Sequence, residues 1–122
     1  MDSQLVQETK LLHERVCKGL GDPKRLLILY ALHERPRYVS ELAEELDMPQ
    51  PTVSRHLKIL RDCSLVTTTR DGATVYYAVA DERVIQAVDL LRGILRDRIL
   101  EQLHLIERAP AGQEADERTP RN

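Results

Sequence analysis

The sequence predicts a mainly α fold, a winged helix-turn-helix of about five helices with one β-hairpin wing. Three observations lead there. Two short amphipathic segments, in "VSELAEEL" and "PTVSRHLKIL", are joined by a tight connection, Met48 to Gln50. An Asp71-Gly72 pair follows them, flanked by β-branched and aromatic residues, which is a hairpin signal. The core material is aliphatic: 42% of the chain is hydrophobic, yet it has no Trp, no Phe and only four Tyr, which favours helices packed on helices.

The elements follow in order. From Gln4 to Leu20, Leu5, Leu12, Val16 and Leu20 form one helical stripe, with Gly19 and Gly21 ending it. Asp22 caps a second helix, Pro23 suits its first turn and Pro36 stops it. The run Leu26 to Leu32 is apolar nearly all round, so this helix should be central. A third, short helix takes Ser40 as N-cap and turns Leu42, Ala43 and Leu46 inward. The fourth starts at Pro51 and buries Val53, Leu57 and Leu60, with His56 packed or bridging at the flank of that side. After the hairpin, a long helix runs from Asp81 to about Glu107, striped by Val84, Val88, Leu91, Leu95, Ile99, Leu103 and Ile106. Residues 1–108 cannot cover so much apolar surface alone. The excess is expected to meet the same helix of a second chain, giving a homodimer through the first and last helices. The tail, residues 109–122, is polar with Pro and Gly and is expected to be disordered.

Charge and motifs narrow the function. A net charge of −2 argues against indiscriminate coating of polyanions, but Arg55, Lys58, Arg61 and Arg70 outnumber Asp62 and Asp71 between residues 51 and 80. No Gly-rich phosphate loop, nucleophile elbow or metalloprotease motif is present, so an enzyme is not expected. The polar start "MDSQLVQETK" is unlike a signal peptide and no apolar run reaches membrane-spanning length. A cytoplasmic protein without membrane contact is expected.

The fourth helix carries the functional pattern. Ser54, Arg55 and Lys58 project opposite its apolar side, with Gln50 and Thr52 at its start. Hydroxyls suit backbone or base edges, an Arg can fork onto guanine, and free amides at the helix start favour a phosphate. Pro51 fixes the entry direction.

At these residues a family resemblance enters. "GDPKRLLILYAL", "VSELAEELDMPQPTVSRHLKILRDCSLV" and "TTTRDGATVYYAV" resemble the ArsR/SmtB family of dimeric winged-helix repressors, over roughly Leu11 to Leu103. The resemblance implies a homodimer on a pseudo-palindromic double-stranded DNA operator, released by an effector. It implies DNA contacts by Gln50, Thr52, Ser54 and Arg55, and by the hairpin tip from Arg70 to Thr74. Ser64 departs from the pattern, standing where the family usually has Gly. The alternative reading is a winged helix used for protein contact, or a DNA-binding regulator that senses nothing.

Effector ligands are sparse. Asp81 is followed by Glu82 and Arg83 rather than by a histidine, His104 stands alone, and the third helix has no cysteine pair. No cofactor is therefore expected, with a metal ion or metalloid as the secondary reading. What remains is His13 and Cys17, four apart on one helix, and Cys63 at the end of the recognition helix. The default for both cysteines is a small buried hydrophobe; redox or metal sensing is the functional alternative.

Overall fold

A computed structural model describes the backbone of residues 1–108 and the side chains of residues 1–105. The expected disorder of 109–122 lies outside the described residues. Two compact units divide the chain, Met1–Ile85 and the part from Gln86 onward.

The first unit opens with α1 (Ser3–Leu11), a π-helical segment (Leu12–Cys17) and α2 (Lys18–Leu20), without a break. Asp2 caps α1 by accepting the Gln4 amide at 3.2 Å. In the π segment the Lys18 amide reaches back to the His13 carbonyl, which adds a residue to the turn. Everything after it is rotated by roughly one residue's angle, about 100°. The apolar stripe expected from Leu5 to Leu20 meets the core only at its end, since residues 1–15 are exposed on every face. Leu5, Leu11 and Leu12 are exposed, whereas Val16 and Leu20 pack against the core. Gly19 lies within α2 rather than ending it. A Cβ there would come within 2.5 Å of Leu65 Cδ1 and 3.3 Å of Cys63 Cβ, so a larger residue would force the buried Leu65 side chain to shift.

Helix α3 (Pro23–Glu34) is capped by Asp22, whose Oδ1 accepts the Lys24 amide at 2.8 Å. It supplies Ile28, Leu29, Ala31 and Leu32 to the core, while Leu27 is exposed despite the apolar run. Helix α4 (Val39–Leu46) begins two residues before the expected start: Tyr38, not Ser40, is the N-cap, and the Glu41 carboxylate accepts the Tyr38 amide at 3.2 Å. Helix α5 (Gln50–Asp62) places Val53, Leu57 and Leu60 in the same core, completely buried.

The wing is an antiparallel pair, β1 (Val66–Asp71) and β2 (Thr74–Val79), with Val66 opposite Val79 and Asp71 opposite Thr74. The two-residue turn is Gly72-Ala73, one position later than Asp71-Gly72. Gly72 has φ +65° and Ala73 is not among the positive-φ residues, the pattern of a type II′ turn with Gly first. Arg37 adds a one-residue third strand by exchanging both backbone hydrogen bonds with Tyr77, at 2.8 and 3.1 Å.

Helix α6 (Glu82–Arg108) starts inside the first unit, where Asp81 accepts the Arg83 amide at 2.9 Å and Ile85 is buried. The bond with the Arg83 guanidinium holds the Asp81 carboxyl down at about 2. Within the second unit, Leu90, Leu91, Ile94, Leu95, Ile99, Leu100 and Leu103 of α6 are all exposed.

Candidate nucleic-acid interface

The helix-turn-helix is α4, the connection Asp47–Pro49, and α5. Asp47 closes α4 in the left-handed region with φ 54°. Its amide donates to the Glu44 carbonyl and the Met48 amide donates to the Ala43 carbonyl at 2.9 Å, a Schellman closure built without glycine. Pro49 then caps α5 through its carbonyl, which accepts from Thr52 and Val53 at 3.0 and 3.1 Å. Two prolines at the entrance remove two amide donors, and these two bonds occupy two more. The expectation of several free amides facing a phosphate is corrected accordingly: this helix start offers mainly side chains.

Those side chains are well presented. Gln50, Ser54, Arg55 and Lys58 are exposed and Thr52 is half-buried. Arg55 has no ion-pair partner among the described residues. Lys58 meets Asp62 at 3.2 Å, but both side chains are largely exposed, so this pair is weak and easily exchanged for another anion. Arg70 is exposed on β1 opposite Val75, beside the wing tip.

The structure does not gather the expected sensing residues. His13 and Cys17 are both exposed and line a shallow depression with Glu14 and Lys18. Cys63 is buried beneath Gly19, on the core side of α5. Among the described residues, no three His, Cys, Asp or Glu side chains are arranged to hold a metal ion. The buried-hydrophobe expectation fits Cys63 and fails for Cys17, which is exposed.

Two arginines position this interface and were not singled out in the sequence. Arg25 on α3 donates to the Gly19 carbonyl at 2.8 Å, the Lys18 carbonyl at 3.1 Å and His56 Nδ1 at 3.1 Å. It thus ties the end of α2 to α5. Burial pushes the His56 imidazole below its ordinary value, with the cations of Arg25, Arg55 and Lys24 acting the same way and Asp22 opposing them. Arg37 is buried, pairs with Glu34 at 2.6 Å and with Glu45 on α4, and leaves its Nε unpartnered among the described residues. A cation placed early in an otherwise apolar helix was the available signal for Arg25. Nothing in the local sequence marks Arg37.

Residues 22–68 match the family model described as "Bacterial regulatory protein, arsR family". The chain is 36% identical over 99 residues to the HTH-type transcriptional regulator CmtR of Mycobacterium tuberculosis, covering 81% of this chain and 84% of that one. The solution structure of that protein, described as a cadmium metal-sensor, superposes with a TM-score of 0.55 at 40% identity, over 64% of this chain and 81% of that one. The HTH-type transcriptional regulator KmtR of the same organism is 44% identical over 73 residues, 60% of this chain; the match spans 56% of KmtR's own length. A homodimeric winged helix-turn-helix DNA-binding domain from Mycobacterium bovis, described as a possible ArsR-family regulator, gives a TM-score of 0.69 at 28% identity, covering 80% of this chain and 89% of that one. No helix among the described residues is long and apolar enough to cross a membrane.

Proposed function

The chain belongs to the ArsR family of DNA-binding transcriptional regulators, which are not enzymes, and on that premise we propose that it represses transcription as a homodimer on a pseudo-palindromic operator. One observation carries this reading. Helix α5 turns Ser54 and Arg55 outward from the face that buries Val53, Leu57 and Leu60, and leaves Arg55 without an ion-pair partner among the described residues. A guanidinium held there is ready to fork onto a guanine edge or a phosphate. Gln50, Thr52 and Lys58 complete the contact along α5, and Arg70 on the wing reaches flanking phosphate or minor groove. Two such helices enter successive major grooves about 34 Å apart.

Dimerisation supports the geometry. The exposed leucines and isoleucines of α6, and separately Leu5, Val6 and Leu11 of α1, are large apolar side chains left in water by the single chain, as at an interaction surface. Each is covered by the second copy.

The effector acts by preferring one of two dimer shapes. His13 and Cys17 are the accessible donors for a soft metal ion or an oxidant, and Cys63 is inside the core. Two donors in one chain leave a metal site incomplete. The cadmium-sensing description of CmtR makes metal release the first condition to test.

The direct test uses a duplex selected by the purified protein from a random pool. Arg55→Ala should weaken binding to it by about 1–3 kcal/mol and relax base preference at one position. Unchanged affinity and unchanged preference would remove α5 as the reading element.

A further inference from the structure

The Arg25–His56 contact has a definite protonation state. A guanidinium only donates, so at 3.1 Å His56 Nδ1 must be the acceptor and the imidazole proton must sit on Nε2. The same guanidinium spends its Nε on the Gly19 carbonyl and its Nη2 on the Lys18 carbonyl. One side chain of α3 therefore holds both the closing turn of α2 and the middle of α5. His56 itself is buried on α5, immediately after the exposed Arg55.

We propose that His56 is a positioning residue for DNA recognition that acts through Arg25: the neutral imidazole locks the setting of α5 against the α2–α3 corner, and protonation opens that lock. The proposal rests on the reading of α5 as the DNA-contacting helix. Adding a proton to Nδ1 replaces an acceptor by a donor and sets two cations against each other across 3.1 Å. The Arg25 guanidinium must then withdraw, and α5 loses the polar side-chain contact that fixes it to the α2–α3 corner among the described residues.

The groups facing the imidazole are known. From α3 and its cap come Asp22, which favours protonation, and Lys24 and Arg25, which oppose it; from α5 itself comes Arg55, also opposed. Three cations against one carboxylate, together with burial, keep the folded state neutral at His56. With a folded-state pKa below the ordinary value of about 6.5, the contact is intact at neutral pH and is lost only as pH falls through that lower folded value.

Acidification should then do two opposite things. It adds positive charge, which raises salt-dependent binding to any DNA. It also loosens the setting of Arg55 and Ser54, which lowers discrimination between sequences. The ratio of affinities for a selected duplex and a scrambled one isolates the second effect.

The experiment measures that ratio from about pH 8 down through the His56 midpoint, located by NMR titration of the imidazole, for the full chain and for His56→Asn, which keeps an oxygen acceptor near the Nδ1 position but cannot titrate. In the parent protein the ratio should fall by about fivefold or more, the lower end of ordinary coupling between sites; in His56→Asn it should stay flat. An equal fall in both proteins would overturn the proposal. NMR titration of the His56 imidazole provides the second readout. Arg25→Gln should raise the His56 midpoint, and an unchanged midpoint would also overturn it. Failure to discriminate sequences even at pH 8 would count against α5 as a reading helix, and the Arg25–His56 lock would then stand or fall on the imidazole titration.

Discussion

Ser64 follows the last residues of α5 in the left-handed region, with φ 61°. Its amide donates to the Arg61 carbonyl at 3.0 Å and the Leu65 amide donates to the Leu60 carbonyl at 2.9 Å, with Leu60 and Leu65 both buried. This is a Schellman closure with its hydrophobic contact, formed at a position where Gly would be unstrained. The family resemblance made Ser64 stand out; the backbone shows that the closure forms regardless and that Ser carries the conformational cost. Ser64→Gly should raise unfolding free energy by about 1 kcal/mol in urea titration, the left-handed penalty less the extra freedom of the unfolded chain. A loss of stability would mean that the hydroxyl, rather than the backbone, matters there. Asp47 has the same geometry at φ 54°, but a short polar side chain tolerates that region better, so Asp47→Gly should gain less.

At the scale of elements, the wing shows most clearly what joins the parts. A two-stranded hairpin is marginal by itself, and this one is fastened by the backbone pair of Arg37 with Tyr77 and by the Tyr38–Tyr76 edge-to-face contact at 5.6 Å. The Arg37 side chain runs under this corner to Glu34 on α3 and Glu45 on α4, so one residue links two helices to β2. Arg37→Met keeps much of the volume and removes both ion pairs. Since Glu34 and Glu45 can return to water, the loss should be moderate, about 1–3 kcal/mol. Hydrogen exchange should find it concentrated at the Tyr77 amide and along β2. Protection unchanged at Tyr77 would show that the backbone bridge holds without the guanidinium. The hairpin itself was legible in "RDGATVYY", although its turn fell one residue later. Register depends on how β2 meets Arg37 and the core, and a turn dipeptide alone does not specify that.

For the whole molecule, the decisive property is the apolar surface left in water. Leu91 and Leu95 of α6 are 62% and 59% exposed in the single chain. Replacing exposed residues with charged ones costs a monomer little, whereas a self-complementary interface would have to bury the new charges. Leu91→Glu with Leu95→Glu should leave far-UV circular dichroism nearly intact, shift sedimentation to the monomer and abolish binding to a two-half-site duplex. The parent protein's melting temperature should rise with concentration, and the double variant's should not. A parent protein that sediments as a monomer at all concentrations would remove the two-helix geometry on DNA.

What the sequence determined alone was the order and type of the elements and the outward residues of α5. These follow from local periodicity, proline punctuation and charge, which a single chain carries in full. Tertiary structure decided two things: the burial of Cys63 against Gly19, and the tying of α2, α3 and α5 by Arg25 and of the wing by Arg37. Each depends on residues distant in sequence approaching within a few ångströms. Such contacts are set by the packing of whole elements, and no local pattern records them.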